Sequence, residues 1–249
     1  MTILRKNNKN TSAYNYKDDI SSKRINYMAP FIPAIVFRLY EIFCCNYYSL
    51  KKLFTTFTFK NKKYKYFIHA YNHTWRNERI VELPIIWDII KDKKSTNILE
   101  IGNVLSHYFP INHDVVDKYE KGVSVINEDI LTYKPKKKYD YIVSISTLEH
   151  VGWDEPKKDK MKIIQALNNL RSILSSNGKI IFTVPLGYNS NMDDLIIHEK
   201  LNLNEKYYLK RISKDNLWKE SKLNKTNLDL FNKPFQNGNG IIIGIISNG

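Results

Sequence analysis

Between Asn97 and Val151 short apolar runs alternate with polar turns. Ile98-Leu99, Val115-Val116, Val123-Val125-Ile126 and Tyr141 to Ile145 are brief, β-branched and bounded by polar or glycine residues. That is the pattern of strands buried in a sheet. Further on, Met161, Ile163, Ile164, Ala166, Leu167, Leu170, Ile173 and Leu174 recur at helical spacing. They predict an amphipathic helix over 156–174, ended by Asn177-Gly178. A strand follows at 179–184, then a helix at 192–201 and a strand at 206–212. The run GIIIGIIS at 240–247 reads as a buried terminal strand. Segment 216–230 is polar, with Trp218 isolated in it, and predicts no element. This order of elements predicts an α/β fold on an open parallel sheet.

The N-terminal third is different. Residues 1–27 are polar and basic and read as a flexible arm. Residues 28–78 form an extension, and 79–249 the main domain. The extension begins with a very aromatic stretch, 28–59, interrupted by Arg38 and Glu41. These charges deny it the uncharged length of a spanning helix. A helix starting after Pro33 either docks on the protein or lies on a membrane surface with Lys51 and Lys52 toward anionic head groups; docking is the favoured reading. FTFKNKKYKYF at 57–67 alternates around Lys60-Asn61-Lys62, a hairpin pattern. Ile80, Val81, Leu83, Ile86, Trp87 and Ile90 then predict a sheet-facing helix interrupted at Pro84.

Charge sharpens this division. The formal net charge is +14. Residues 1–96 carry 18 basic and 7 acidic side chains, whereas 97–249 carry 21 and 18. A basic extension suits an anionic partner such as a membrane surface, although a chain this rich in Lys, Asn and Ile also fits an AT-rich genome. Nucleic acid is disfavoured, since a single basic-aromatic hairpin is too little for a single-strand platform. The adjacent Cys44 and Cys45 form no zinc or redox spacing and suit a reducing compartment. No secretory leader is evident. The expected location is cytoplasmic, with peripheral membrane contact as the variant.

In an open parallel sheet, ligands sit at the carboxyl ends of the strands. Here the strands end in Glu100-Ile101-Gly102-Asn103, Asp117, Asn127-Glu128-Asp129 and Ser146-Thr147-Leu148-Glu149-His150. This ordered set resembles the class I S-adenosylmethionine-dependent methyltransferases, over roughly 98–184. The resemblance implies a Rossmann-like, mostly parallel seven-stranded sheet with flanking helices and an antiparallel last strand. It implies S-adenosyl-L-methionine as cofactor, held by Glu100, Gly102, Asn103, Asp117 (ribose), Asp129 (near the adenine), Ile130 and Ser146. The usual loop after the first strand carries two or three glycines; here there is one. Asn tolerates the left-handed region, so Asn103 is the expected substitute.

For catalysis, His150 is the expected base, being able to accept a proton near neutrality, and Glu149 its orienting partner or a hydroxyl ligand. The plainer alternative has Glu149 capping the next helix and His150 packing on it. Trp75, Arg76, Arg79, Trp153 and Tyr188 are the expected acceptor contacts. In some relatives a metal is bound with a Glu three residues before such a Glu-His pair. Here that position is Ser146, so no metal is expected. The Asn/Asp-Pro-Pro-aromatic loop of DNA amino-methyltransferases and the double-Glu hairpin of arginine methyltransferases are both missing. A small-molecule, sugar or lipid-linked acceptor remains. The string 99–120 also resembles methyltransferase-like proteins associated with surface-polysaccharide assembly. The alternative is a protein that keeps the fold without the reaction and acts as a membrane- or partner-binding module. A different dinucleotide-binding protein is disfavoured because no GxGxxG follows the first strand.

Overall fold

The computed structural model describes residues 34–93, 96–224 and 228–248. The predicted arm at 1–27 lies outside the described residues, as do 28–33. Helix α1, Ala34–Lys52, leads into a hairpin of β1, Thr56–Phe59, and β2, Lys62–Lys65. Lys60 and Asn61 form its two-residue turn with φ of +49° and +61°. Both angles are positive, as the tight turn that matches strand twist requires. Phe57 and Phe59 point inward, while Thr56 and Thr58 stay exposed.

Helix α2, Arg79–Ile90, continues unbroken through Pro84. An interruption was expected there, because proline removes the N–H that would bond the carbonyl four residues back. That carbonyl belongs to Ile80, and the Phe67 N–H takes it at 3.0 Å. The extension thus repairs the helix from outside.

The main sheet contains β3 (Ile98–Ile101), β4 (Asp114–Val116), β5 (Val125–Ile126), β6 (Tyr139–Ile145), β7 (Leu174–Pro185), β8 (Glu205–Arg211), β9 (Trp218–Ser221) and β10 (Gly240–Ser247). Its order is β5-β4-β3-β6-β7-β10-β8-β9. The first five in that order are parallel neighbours. β10 slots antiparallel between β7 and β8. This is the expected Rossmann-like α/β architecture with its antiparallel closing strand. One strand was not anticipated: β9 pairs antiparallel with β8 and makes the sheet eight-stranded. Its Trp218, seemingly isolated in a polar stretch, is buried against Tyr66, whose hydroxyl accepts the Trp218 backbone N–H at 2.9 Å.

Strand alternation divides the core. Leu99, Ile101, Ile142, Ile180, Phe182, Val184 and Ile242 face α3, Met161–Ser172, and α4, Ser190–Ile197. Ile98, Val143, Ile145, Ile181, Ile241 and Ile243 face α2 and the hairpin. α3 is shorter than predicted, because Leu174 already pairs with Tyr139 on β6. Val123, read as strand interior, is fully exposed, and β5 is only two residues long. Among the described residues no α-helix joins β3 to β4, β4 to β5 or β5 to β6; a single 3-10 turn at Leu105–His107 follows β3.

Candidate active site

Glu100, near the end of β3, is fully buried. Its Oε1 accepts the N–H groups of Val104 (2.9 Å) and Leu105 (2.7 Å), and its Oε2 lies 2.9 Å from His113 Nε2. The carboxylate therefore fixes the turn that follows. Gly102 has φ +82°, and a Cβ there would lie 2.4 Å from Thr147 Oγ1. Both the backbone angle and the close approach require glycine. Asn103 does not supply the expected second left-handed residue: positive φ in this loop is confined to Gly102. Its side chain instead donates to Glu120 Oε1 at 3.0 Å and accepts the Ser106 hydroxyl. The Val104 N–H bonds back to the Gly102 carbonyl at 3.0 Å, so one reversal is enough.

Asp117 closes β4. Its Oδ2 accepts the Asn103 N–H (3.0 Å), and its Oδ1 those of Tyr119 (2.8 Å) and Glu120 (2.7 Å). Three of a carboxylate's roughly four acceptor positions are taken. Glu120 Oε1 also lies 2.9 Å from His107 Nε2, outside hydrogen-bonding geometry, and Tyr71 stacks on His107 at 4.3 Å. After β5, Asp129 accepts the Leu131 N–H (2.9 Å) and pairs with Lys118 (2.9 Å). Burial pushes its carboxyl up, but these two partners outweigh it and hold it below the usual range. The Ile130 side chain belongs to the core on the α3 face, and its carbonyl accepts Asn169 Nδ2 at 2.7 Å.

The end of β6 is built differently. Ser146 has φ +38°, a left-handed conformation rare for serine. Its hydroxyl donates to Glu82 Oε1 at 2.6 Å, and its N–H to the Thr183 carbonyl at 2.9 Å. Glu82 comes from α2 and is fully buried, with Arg79 Nη1 3.3 Å from its Oε2. Burial pushes the Glu82 carboxyl up, with Arg79 opposing. Arg79 Nη1 also donates to the Ile145 carbonyl at 2.7 Å. It is fixed on the strand end by backbone and carboxylate together.

One turn later stand Glu149 and His150. Glu149 is 1% exposed, and its Oε2 has no hydrogen-bond partner among the described residues. Burial pushes its carboxyl up to about 7, against the opposing pull of His150. His150 Nδ1 is 2.5 Å from Asp154 Oδ2, and that oxygen also accepts the Tyr188 hydroxyl at 2.8 Å. His150 Nε2 is 3.7 Å from Glu149 Oε1. Burial works against the imidazolium, but the Asp154 hydrogen bond and the Glu149 charge outweigh it, so the pKa is raised. The Tyr188 ring meets the imidazole edge-on at 4.8 Å.

The structure thus gathers Arg79, Ser146, Glu149, His150 and Tyr188 around one strand end. Trp75 and Arg76 go elsewhere. Trp75 is buried beneath α1, stacked on Tyr48 at 5.9 Å, and Arg76 Nη2 is 3.4 Å from the Tyr40 hydroxyl. Trp153 is half-buried, with Lys158 Nζ 3.3 Å from its ring centroid. Sequence reasoning missed Glu82, Asp154, Thr147 and Lys118. Two of these had a signal. Glu82 is a lone charge within the apolar run Ile80-Val81-Glu82-Leu83, and a buried carboxylate is seldom incidental. Asp154 lies four residues after His150. Thr147 had none. Among the described residues no three His, Cys, Asp or Glu side chains are grouped to hold a metal ion.

No protein-family model matches the chain, and no curated protein does. Solved structures give distant likenesses. The N-methyltransferase NodS from Bradyrhizobium japonicum WM9, in complex with S-adenosyl-L-homocysteine, is 14% identical with a TM-score of 0.39, covering 61% of this chain and 78% of its own. A SAM-dependent methyltransferase from Thermotoga maritima is 16% identical with a TM-score of 0.42, covering 69% and 90%. CalS10, an amino pentose methyltransferase from Micromonospora echinaspora, is 13% identical with a TM-score of 0.31, covering 49% and 58%. Likenesses with TM-scores of 0.42 or lower decide nothing about the site.

Proposed function

We propose that the protein transfers a methyl group from S-adenosylmethionine to a small-molecule, sugar or lipid-linked acceptor, with His150 as the base. The supporting observation is one of placement. Glu100, Asp117, Asp129 and the Glu149-His150 pair stand at or just beyond the carboxyl ends of β3, β4, β5 and β6, four parallel strands of one sheet. Ligands collect at that edge in open α/β sheets. The residues present fit the ribose end of the cofactor, since Asp117 keeps an acceptor position for a hydroxyl. Glu149 Oε2 and Ser144 Oγ, both buried and without hydrogen-bond partners among the described residues, are further polar atoms at the end of β6.

S-adenosylmethionine supplies a methyl group already activated on a sulfonium sulfur. The protein's own residues align the acceptor, keep water away and take its proton. Asp154 holds His150 through Nδ1, which gives the proton-accepting role to Nε2. Glu149, 3.7 Å from that nitrogen, stabilises the imidazolium that forms. Tyr188 offers the acceptor an aromatic wall beside the base. Because the His150 pKa is raised, the rate rises with pH through a midpoint above the ordinary value of about 6.5.

The test is Asp117→Ala. It should weaken S-adenosylhomocysteine binding at least about tenfold, the scale of a hydrogen bond to a charged group. Unchanged affinity would remove the ribose assignment. A second reading, a protein that keeps the fold without the reaction, is favoured by one observation: backbone N–H groups and His113 already occupy most acceptor positions of Glu100 and Asp117. It predicts no binding at all.

A further inference from the structure

Helix α1 is docked along one side only. Glu41, Tyr48 and Lys52 face the protein: Glu41 meets His73 at 2.6 Å, Tyr48 stacks on Trp75, and Lys52 Nζ reaches the Asp215 carbonyl at 2.6 Å. Cys44 is buried on the same side. The other side is apolar, and among the described residues nothing covers it. Val36, Leu39, Phe43, Tyr47, Leu50 and Phe54 follow one another at steps of three or four residues, one helical stripe continued just past the helix end. Leu39 is 61% exposed, Phe43 68%, Leu50 73% and Phe54 94%. A soluble surface seldom leaves so many large side chains together without a use.

The charge around this stripe says what covers it. Residues 34–65 hold seven basic side chains and one acidic; Lys51, Lys60 and Lys62 pair with Asp215, Glu205 and Asp88, and Lys52 is buried, so the outward lysine charge comes from Lys63 and Lys65. The helix runs directly into the hairpin, where Lys63 and Lys65 pair with the outward-facing Thr58 and Thr56. Both lysines are exposed. No helix among the described residues is long and apolar enough to cross a membrane. An aromatic and leucine-rich stripe on a helix too polar to span, followed in the chain by a hairpin with exposed lysines, suits the boundary between head groups and acyl chains. An apolar protein partner would find no use for the lysines, whereas an anionic bilayer uses both features.

We infer that the outer stripe of α1, with Lys63 and Lys65, docks the protein on an anionic lipid surface. This goes beyond the methyl-transfer reading and does not depend on it. Docking there would bring a lipid-linked acceptor to the protein without a spanning segment.

The test uses the full chain and flotation with vesicles of equimolar phosphatidylcholine and phosphatidylglycerol. Wild type should float with these and not with pure phosphatidylcholine, and salt should weaken the binding. The double variant Phe43→Ser/Leu50→Ser should lose at least about tenfold in partition, as expected from the apolar area withheld. Its thermal midpoint should be unchanged, because both side chains are exposed. Lys63→Glu/Lys65→Glu should lose at least about fivefold. Undiminished flotation of the serine variant would overturn the inference, by assigning any binding to the basic arm. Absence of wild-type flotation would also overturn it. So would a dimer dissolved by the serine variant, since the stripe would then belong to a second copy.

Discussion

Two neighbouring ends of the same sheet handle buried charge in opposite ways. At β3 and β4, Glu100 and Asp117 turn their oxygens onto the backbone N–H groups of the following loop and, for Glu100 Oε2, onto His113, and little is left over. At β6, Glu149 keeps an oxygen with no hydrogen-bond partner among the described residues, and His150 meets Asp154 through Nδ1. The first arrangement is what stability asks of buried carboxylates. The second stores a cost, and perturbed groups of this kind concentrate where proteins do chemistry. The comparison separates carboxylates that chiefly shape the loop, Asp117 with one acceptor position to spare, from one left unsatisfied beside a histidine.

The largest expected effect is at the β6 end. His150→Asn should lower methyl transfer by about 10²–10⁴-fold, the range for loss of a general base, read as S-adenosylhomocysteine released across a panel of sugar acceptors. Affinity for S-adenosylhomocysteine itself should not move. If both fall together, His150 holds the cofactor site rather than the acceptor's proton.

Next comes the shaping end. Glu100→Ala leaves the Val104 and Leu105 N–H groups and His113 without their acceptor in a buried place. It should cost about 3 kcal/mol in urea unfolding. A loss under about 1 kcal/mol would mean that water reaches this turn and that the two ends are less different than they look.

The smallest effect has the more telling sign. The Glu149 carboxyl rises from its ordinary value of 4.5 to about 7 on folding. A raised carboxyl favours the folded state while protonated, and that advantage is lost as pH climbs from the unfolded value through about 7. Glu149→Gln does not titrate. Relative to wild type it should therefore gain about 2–3 kcal/mol between pH 5 and pH 8. It should also shift the His150 profile toward acid, because the anion that supports the imidazolium is gone. A difference that does not change with pH would show that Glu149 is solvated or paired after all.

Much of this was legible in the chain. The β-branched runs of β3, β4 and β6 and the GIIIGIIS strand declare themselves because their side chains are buried on both faces of the sheet. Their order, with the polar residues that end them, led to the fold. What stayed hidden depends on partners distant in sequence. The course of α2 through Pro84 relies on the N–H of Phe67, and the burial of Trp218 on Tyr66. The site was half legible. Glu149 and His150 stand out by type and place, but the roles of Glu82 and Thr147 come from contacts 64 and 45 residues away in the chain, with Ser146 and Gly102. Asn103 misled because tolerance of the left-handed region is not need of it.

The most direct measurement is a calorimetric titration of the full chain with S-adenosylhomocysteine. Micromolar binding that Asp117→Ala weakens at least about tenfold is the predicted result. No heat at millimolar ligand would contradict it, and would leave the carboxyl edge as a fold without its reaction.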